Sequence, residues 1–457
     1  MIWYPTLPFG EGPRYLQIVA ALRKDIVTGA VSTGQQLPTH REMASKLGLS
    51  VGTVSKAYAA AERRGLTSGQ VGRGTFVLAP TGDIGVSDAP SSENQRVNLA
   101  LNAPPDTGEA DVIATTFVGI TRNGTLPRLL GYLPHQGLES HRETIAQWLS
   151  DRNVATTTAG VFVTHGAQHA ILIAMRLLAR PGATILAENM TYSGMAALAL
   201  MEGYGLAGVA MDEHGLIPSS LDDAFRRTGA KIVYCTPTFQ TATGAIMPED
   251  RRHEIVEIVR RHDGWIVEDD AYGFLQTAPL QTLSSLLPER SFYVVSFAKC
   301  LAPGLRIGAM TAPPQFRDRI VNAIRATGWM ANAIMAEAVT QMMRNGDLEK
   351  QILFKRAAAA ERSQVALTVF GDHLQSHDFP AFHVWLNLPA GRSSSRLVAQ
   401  AGQAGITLAA PHPLSMSASR SDGIRLCLGA ARSMDHLERA LVAVRDILTE
   451  SEEMALV

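Results

Sequence analysis

The sequence predicts an α/β protein in two pieces, a small helical head ending in a β-hairpin and a large body with a mainly parallel sheet. Three observations carry that expectation. Residues 14–77 show dense helical periodicity that closes on a glycine-rich hairpin pattern. Residues 79–96 are polar and lack apolar periodicity. From about Asn98 onward, β-rich apolar runs alternate with helix-length segments. At 457 residues the chain is long enough for two or three separate cores.

In the head, Tyr15, Ile18, Val19, Leu22 and Ile26 recur at helical spacing and make one apolar stripe. Gly34 and Pro38 break the chain. Thr39 is placed to cap a second helix, Glu42 completes a capping box, and Gly48 closes the helix. Ser50 opens a third helix whose inner face is Val54, Ala57, Tyr58 and Ala61. Leu66-Thr67-Ser68 and the run from Gly69 to Val77 read as two short strands around a glycine-rich turn.

The head is assigned residues 1–78, a linker 79–96, and the body 97–457, with a smaller α+β subdomain from about 345 to 457. As a flexible coil the linker spans roughly 25 Å on average, and about 60 Å fully extended. In the body, residues 160–164, 183–187, 231–235, 265–267 and 292–296 read as strands. Residues 349–369 read as one long helix. Beyond it, 379–388, a helix near 396–404, and 424–428 make the terminal subdomain.

The formal net charge of −1 hides an asymmetry. Residues 1–78 hold nine Lys/Arg against four Asp/Glu, a net of +5, while the remainder carries −6. A basic head on an acidic body hints at phosphate binding by the head. The three cysteines, Cys235, Cys300 and Cys427, have neither disulfide-framework nor metal-knuckle spacing and read as free thiols of a reducing cytosol. No basic segment followed by an apolar run opens the chain. The longest apolar stretch, 194–211, is too short and too broken to span a bilayer. A cytoplasmic protein with no membrane partner is expected.

Helix, turn, helix and β-wing is the layout of a winged helix-turn-helix, whose second paired helix enters the DNA major groove. Candidate DNA contacts are Arg41 at the start of the second helix, and Ser50, Gly52, Thr53 and Lys56 on the third. Small residues there allow close approach, and hydroxyls bond phosphates or base edges. Arg73, between two glycines at the wing tip, is a candidate for the minor groove or phosphates. On spacing alone, a three-helix protein-docking domain with a hairpin stays open. The segment LPTHREMASKLGLSVGTVSKAYAAAERRGL, followed by GRGTFV, resembles the GntR family of regulators over about 65 residues. That resemblance implies double-stranded DNA as partner. Many members carry arginines where this chain has Gly52 and Lys56, so the operator is not implied.

The body holds several motifs at strand ends. Ser296-Phe297-Ala298-Lys299 follows a β-run and leads to Pro303-Gly304-Leu305-Arg306. Partial burial of a lysine lowers its pKa and favours Schiff-base chemistry with an aldehyde. Ser296 and Arg306 offer a hydroxyl and a guanidinium for phosphate. Taken singly, a lysine after a strand is ordinarily a surface lysine. Thr164-His165-Gly166-Ala167-Gln168 leads a strand into a helix through a glycine, so backbone N–H groups there are placed for phosphate. Asp269 ends another apolar strand, where a carboxylate keeps a pyridine nitrogen protonated. Tyr272 is placed to donate to a ring hydroxyl and Tyr192 to stack on the ring. Each also has an ordinary reading as a polar residue on a loop over the sheet. Together they fall where open parallel sheets bind ligands.

This set resembles the fold-type I pyridoxal-phosphate enzymes, the aspartate aminotransferase class, over roughly residues 98–450. The resemblance implies pyridoxal 5'-phosphate as cofactor. It makes Lys299 the internal-aldimine lysine, Asp269 the pyridine-nitrogen partner and Tyr272 the ring-hydroxyl partner. Ala167, Gln168, Ser296 and Arg306 fall at phosphate positions, and Tyr192 at the stacking aromatic. Arg425, in GIRLCLG, matches the arginine for a substrate carboxylate. Tyr132, in YLPHQG, matches a tyrosine that reaches the partner subunit's phosphate, implying a homodimer. Thr241, in Thr241-Ala242-Thr243-Gly244, stands where the family has an asparagine near the ring oxygen, and Ala298 replaces a frequent serine. Both departures weaken the case for efficient transamination. His165 and His169, four apart, suit zinc by spacing alone, but the phosphate-loop position argues against a metal, and none is expected.

Head, linker and body in this order resemble the MocR subgroup of GntR regulators. The resemblance implies a dimer, with each head able to pack on the partner's body in a domain-swapped arrangement. It implies a regulator that senses a small amino compound through an aldimine at Lys299. A working aminotransferase with an appended DNA-binding domain is the alternative, and a sensor of pyridoxal phosphate itself is a third reading.

Overall fold

The computed structural model describes residues 3–5, 13–27, 31, 35–63, 66–70, 74–77, 97–375, 380–389, 392–409 and 423–449. The linker assignment, residues 79–96, and Arg73 lie outside these residues. The chain divides into two compact units, Met1–Glu93 and Asn94–Val457.

The first unit holds helices α1 (Arg14–Val27), α2 (His40–Leu47) and α3 (Val51–Arg63), then strands β1 (Thr67–Gln70) and β2 (Gly74–Val77). The strands pair antiparallel, Thr67 opposite Val77. The capping box is present: Thr39 Oγ1 accepts from the Glu42 N–H at 3.3 Å, and the Glu42 carboxylate accepts from the Thr39 N–H at 2.8 Å. Gly48 ends α2 at φ 65°, a left-handed conformation that costs glycine little. Ile18, Val19, Leu22, Met43, Val54, Ala57 and Ala61 form the core, and the Tyr58 hydroxyl donates to the Pro38 carbonyl at 2.7 Å. Thr39→Ala strips the cap from α2, so the expected result is a loss of about 1 kcal/mol. Faster hydrogen exchange across residues 40–48 would show it.

The second unit is built on a seven-stranded sheet. Its strands are β3 (Val161–Thr164), β4 (Thr184–Glu188), β5 (Gly205–Val209), β6 (Ile232–Cys235), β7 (Trp265–Asp269), β8 (Ser291–Ser296) and β9 (Gly308–Thr311), in spatial order β3-β9-β8-β7-β6-β4-β5. All neighbours run parallel except β9, which is antiparallel to both β3 and β8. The sequence reading missed β5 and β9. Both are rich in glycine and alanine, so neither shows the β-branched run that marks β3, β6 and β8. Helices cover both faces, which explains the nearly continuous apolar strands: every residue of β3, β6 and β8 is buried.

The helix Asp347–Phe370 leads to a smaller layer. There β10 (His383–Asn387) and β11 (Gly423–Cys427) pair antiparallel, over a core that includes Leu386, Leu397, Leu426 and Leu441. No helix among the described residues is long and apolar enough to cross a membrane.

Candidate functional site

The carboxyl ends of β3, β4, β7 and β8 deliver Thr164, Glu188, Asp269 and Ser296 to one edge of the sheet. Between β3 and the helix Ala167–Leu178 the chain turns at Gly166, φ 79° and ψ 177°. No side chain caps that helix, so its first N–H groups are free of a side-chain acceptor. Arg306 lies over the turn: a Cβ at Gly166 would stand 3.1 Å from its Nη2. Arg306 itself takes a left-handed backbone, φ 50° and ψ 41°. A Cβ at Gly308 would meet the Gly166 backbone at 2.8 Å and the Val295 carbonyl at 2.6 Å, so glycine alone lets β9 pass there. Ser296 Oγ accepts from the Ala298 N–H at 3.2 Å. Gln168 Nε2 donates to the Gly194 carbonyl at 2.9 Å, and its Oε1 is buried without a partner. Tyr192 packs on the same glycine: a Cβ at Gly194 would stand 2.4 Å from its ring. Ala167, Gln168, Ser296, Arg306 and Tyr192 are thus grouped around this edge.

Asp269 is buried. The Tyr234 hydroxyl donates to its Oδ2 at 2.7 Å, while Oδ1 has no partner. Burial pushes the carboxyl up to about 6; Tyr234 and Lys299 pull it down and Asp270 pushes it up. Lys299 Nζ donates to the Asn102 carbonyl. Burial pushes the Lys299 ammonium down to about 8, with Cys427 and Asp269 opposing the shift and Arg425 adding to it. The Tyr272 hydroxyl accepts from Asn102 Nδ2 at 2.8 Å. Arg425 donates to the Thr241 carbonyl at 2.8 Å and to the Ala100 carbonyl at 3.2 Å. Thr241 therefore stands in the site, but through its backbone.

Tyr132 is set apart. It is 87% exposed, and its ring touches Trp329 at 5.5 Å between centroids. His169 receives the His165 N–H at 3.2 Å and meets Thr327 Oγ1 at 2.7 Å. Burial and His165 push His169 down to about 4. On the head, Arg41, Ser50, Gly52 and Lys56 are exposed. Ser50 Oγ holds the half-buried Thr53 through its N–H and its hydroxyl, at 3.1 and 2.9 Å.

Sequence reasoning missed Asn102, Tyr234, His383 and Glu188. Glu188 accepts from Thr236 N and Oγ1 and from Gln240 Nε2 at 2.8–3.1 Å, and burial pushes it up to about 7. It braces the 236–243 loop that carries Thr241. The strand-end position of Glu188 was the available signal. Asn102 and His383 had none.

The aminotransferase class I and II family matches residues 94–444, and the gntR family of bacterial regulatory proteins matches residues 14–77. The chain belongs to the aminotransferase class I and II family. With its gntR-family head it is a transcription regulator of the MocR subgroup, and its head binds DNA. It is 24% identical to the HTH-type transcriptional regulator YdeF of Bacillus subtilis, over 98% of this chain and 97% of that one. It is 28% identical to the probable rhizopine catabolism regulatory protein MocR of Rhizobium meliloti, over 85% and 82%. The fold is that of the Pyrococcus horikoshii kynurenine aminotransferase, with a TM-score of 0.71 at 23% identity, covering 78% of this chain and 92% of that one.

Membership of the aminotransferase family makes pyridoxal phosphate the cofactor of this regulator. The residues fit it. The unpartnered Oδ1 of Asp269 suits a pyridinium N–H, the glycine turn under Arg306 suits a phosphate, and Lys299 supplies the amine. Only the neutral amine attacks an aldehyde. An amine at about 8 is roughly 300-fold more available at neutral pH than one at the ordinary 10.5. The rate of cofactor attachment is therefore expected to rise as pH passes through about 8 and to level off above it. Stopped-flow absorbance tests this, and a rate still climbing at pH 10 contradicts it.

Proposed function

We propose that this regulator holds pyridoxal phosphate covalently through Lys299, and that binding of a small amino compound at the site changes how its heads engage DNA. The observation that carries the reading is Lys299: a half-buried amine that donates to the Asn102 carbonyl, its ammonium brought down to about 8 by desolvation with Asp269 and Arg425 acting on its charge. Asp269 holds the ring nitrogen, Tyr272 the ring oxygen, and Tyr192 stacks on the ring. Thr241 stands beside the ring oxygen. Ala167, Gln168, Ser296 and Arg306 hold the phosphate. An incoming amine takes the place of Lys299 while Arg425 takes its carboxylate. The ligand acts through its different affinity for two states of the body.

The protein works as a cytoplasmic homodimer in this reading. The exposure of Tyr132 supports it, since the resemblance assigns this residue to the partner's phosphate and it is 87% exposed on a single chain. Residues 79–96 tether each head, in a swapped arrangement where the head packs on the partner's body. Two tethered heads on repeated half-sites bind with avidity. Arg41, Ser50, Gly52, Thr53, Lys56 and Arg73 contact the DNA.

The test is the visible absorption of the purified protein against a panel of amino acids and amines. A band that shifts with one compound and persists identifies a sensor and its effector. A band that decays to the pyridoxamine form and recovers with a keto acid identifies a working aminotransferase, the reading favoured by the near-complete set of site residues. DNA affinity that responds to cofactor alone identifies a sensor of pyridoxal phosphate. No band with added cofactor refutes the role of Lys299.

A further inference from the structure

We propose that Asn102 reads the state of the cofactor site and passes it to the chain segment that leads to the DNA-binding head. The inference rests on the Lys299 reading above.

Asn102 is 8% exposed, and its carbonyl and its Nδ2 both bond groups of the site. Its carbonyl accepts from Lys299 Nζ. Its Nδ2 donates to the Tyr272 hydroxyl at 2.8 Å and to His383 Nδ1 at 3.0 Å. His383 Nε2 in turn donates to the Gln240 carbonyl at 3.0 Å, next to Thr241. Asn102 Oδ1 is buried with no partner. A buried amide acceptor left unmade costs about 1–3 kcal/mol, so the atom calls for a ligand. Turning the amide over does not remove the problem, because one end is always spent on Tyr272 and His383 and the other left free. The Tyr272 oxygen already accepts from Asn102, which leaves its own proton for a ring oxygen. Where the family places an asparagine side chain, Thr241 offers Arg425 a backbone carbonyl.

The position of Asn102 in the chain adds the second half. The body begins with Val97–Asn98, paired parallel with Ile406–Thr407. Asn98 Oδ1 then accepts from the Ala100 and Leu101 N–H groups at 3.0 Å, an Asx turn that sends the chain into the site. Arg425 holds the Ala100 carbonyl at 3.2 Å, and Lys355 holds that of Pro105 at 2.5 Å. The segment therefore offers one carbonyl to the cofactor lysine and another to the effector arginine. When Lys299 turns to the cofactor, the Asn102 carbonyl loses its donor, and when Arg425 turns to a carboxylate, the Ala100 carbonyl keeps only the Cys427 thiol at 3.4 Å. Residues 97–105 then have different contacts in the two states, which is what a coupled element requires. Upstream, this segment continues into residues 79–96 and the head.

The experiment uses the full-length protein and pyridoxal phosphate as probe. In the wild type, adding the cofactor is expected to change hydrogen exchange of the amides at 99–105; unchanged exchange there in a protein that shows the visible band overturns the proposal. Asn102→Ala and the isosteric Asn102→Asp are then reconstituted. Both are expected to keep the visible band but to move its pH midpoint upward, by about one unit for Asn102→Asp, whose new charge favours the protonated form. In both, the change in DNA affinity caused in the cofactor-loaded protein by the amino compound that shifts the wild-type band is expected to fall to near none. A variant that keeps the wild-type midpoint and the wild-type change refutes the role of Asn102. A wild type with no visible band refutes the Lys299 reading instead, so the two failures are distinguishable.

Discussion

Lys299→Ala is expected to replace the visible band of the covalently held cofactor by that of the free aldehyde, and to leave a protein that binds DNA with an affinity no ligand changes. The head folds on its own capping box and core, so its DNA affinity without ligand is expected to stay within a factor of a few. The body loses a half-buried amine whose ammonium stands at about 8, with Asp269 acting on its charge. Arg306, the glycine turn and Asp269 remain, so the cofactor still binds without a covalent link. Losing that link is expected to weaken retention by on the order of a hundredfold, the equivalent of about 3 kcal/mol. Dialysis followed by absorbance reads retention, and DNA titration of the cofactor-loaded protein with and without the band-shifting amino compound reads control. Ligand-dependent control that survives in Lys299→Ala would falsify the proposed function.

Arg252→Met is expected to give the largest loss of stability, about 3–5 kcal/mol. Arg252 and Glu268 are both 0% exposed and 3.8 Å apart. Arg252 donates to the Met247 carbonyl and to Thr238 Oγ1, each at 2.9 Å. Glu268 accepts from the Ser284 N–H at 2.8 Å and from its hydroxyl at 2.5 Å. Removing the guanidinium leaves a buried carboxylate without its countercharge. Burial already pushes Glu268 above the ordinary carboxylate range, and Arg252 pulls it down. The sign follows: a raised folded-state pKa means stability is lost as pH rises through it. The gap between wild type and Arg252→Met should therefore be narrower near pH 5 than near pH 8 in chemical denaturation. Arg252→Met combined with Glu268→Leu should recover most of the loss. An equal gap at both pH values contradicts this account.

The buried pair also shows what a sequence conceals. Arg252 sits on the helix Glu249–Arg261 among Arg251, His253 and Glu254, and reads there as one more charge on a solvated face. Its bonds to Pro237, Thr238 and Met247 and its approach to Glu268 make it interior. Thr241 is the opposite case. As a residue type it reads as a lost contact near the ring oxygen, whereas the fold uses its carbonyl to hold Arg425.

The sequence by itself determined the features governed by neighbours along the chain. The Thr39–Glu42 cap, the Gly48 stop, the hairpin, the long helix and the strand ends at Asp269 and Ser296 all depend on residues a few positions apart, and local periodicity records them. The tertiary structure decided what those strand ends face. Asn102 meets Tyr272 across 170 residues and His383 across 281, and no pattern in the intervening chain specifies either contact. Burial of Lys299 and the free Oδ1 of Asp269 are likewise products of packing. Desolvation depends on every atom nearby, and those atoms come from distant parts of the chain.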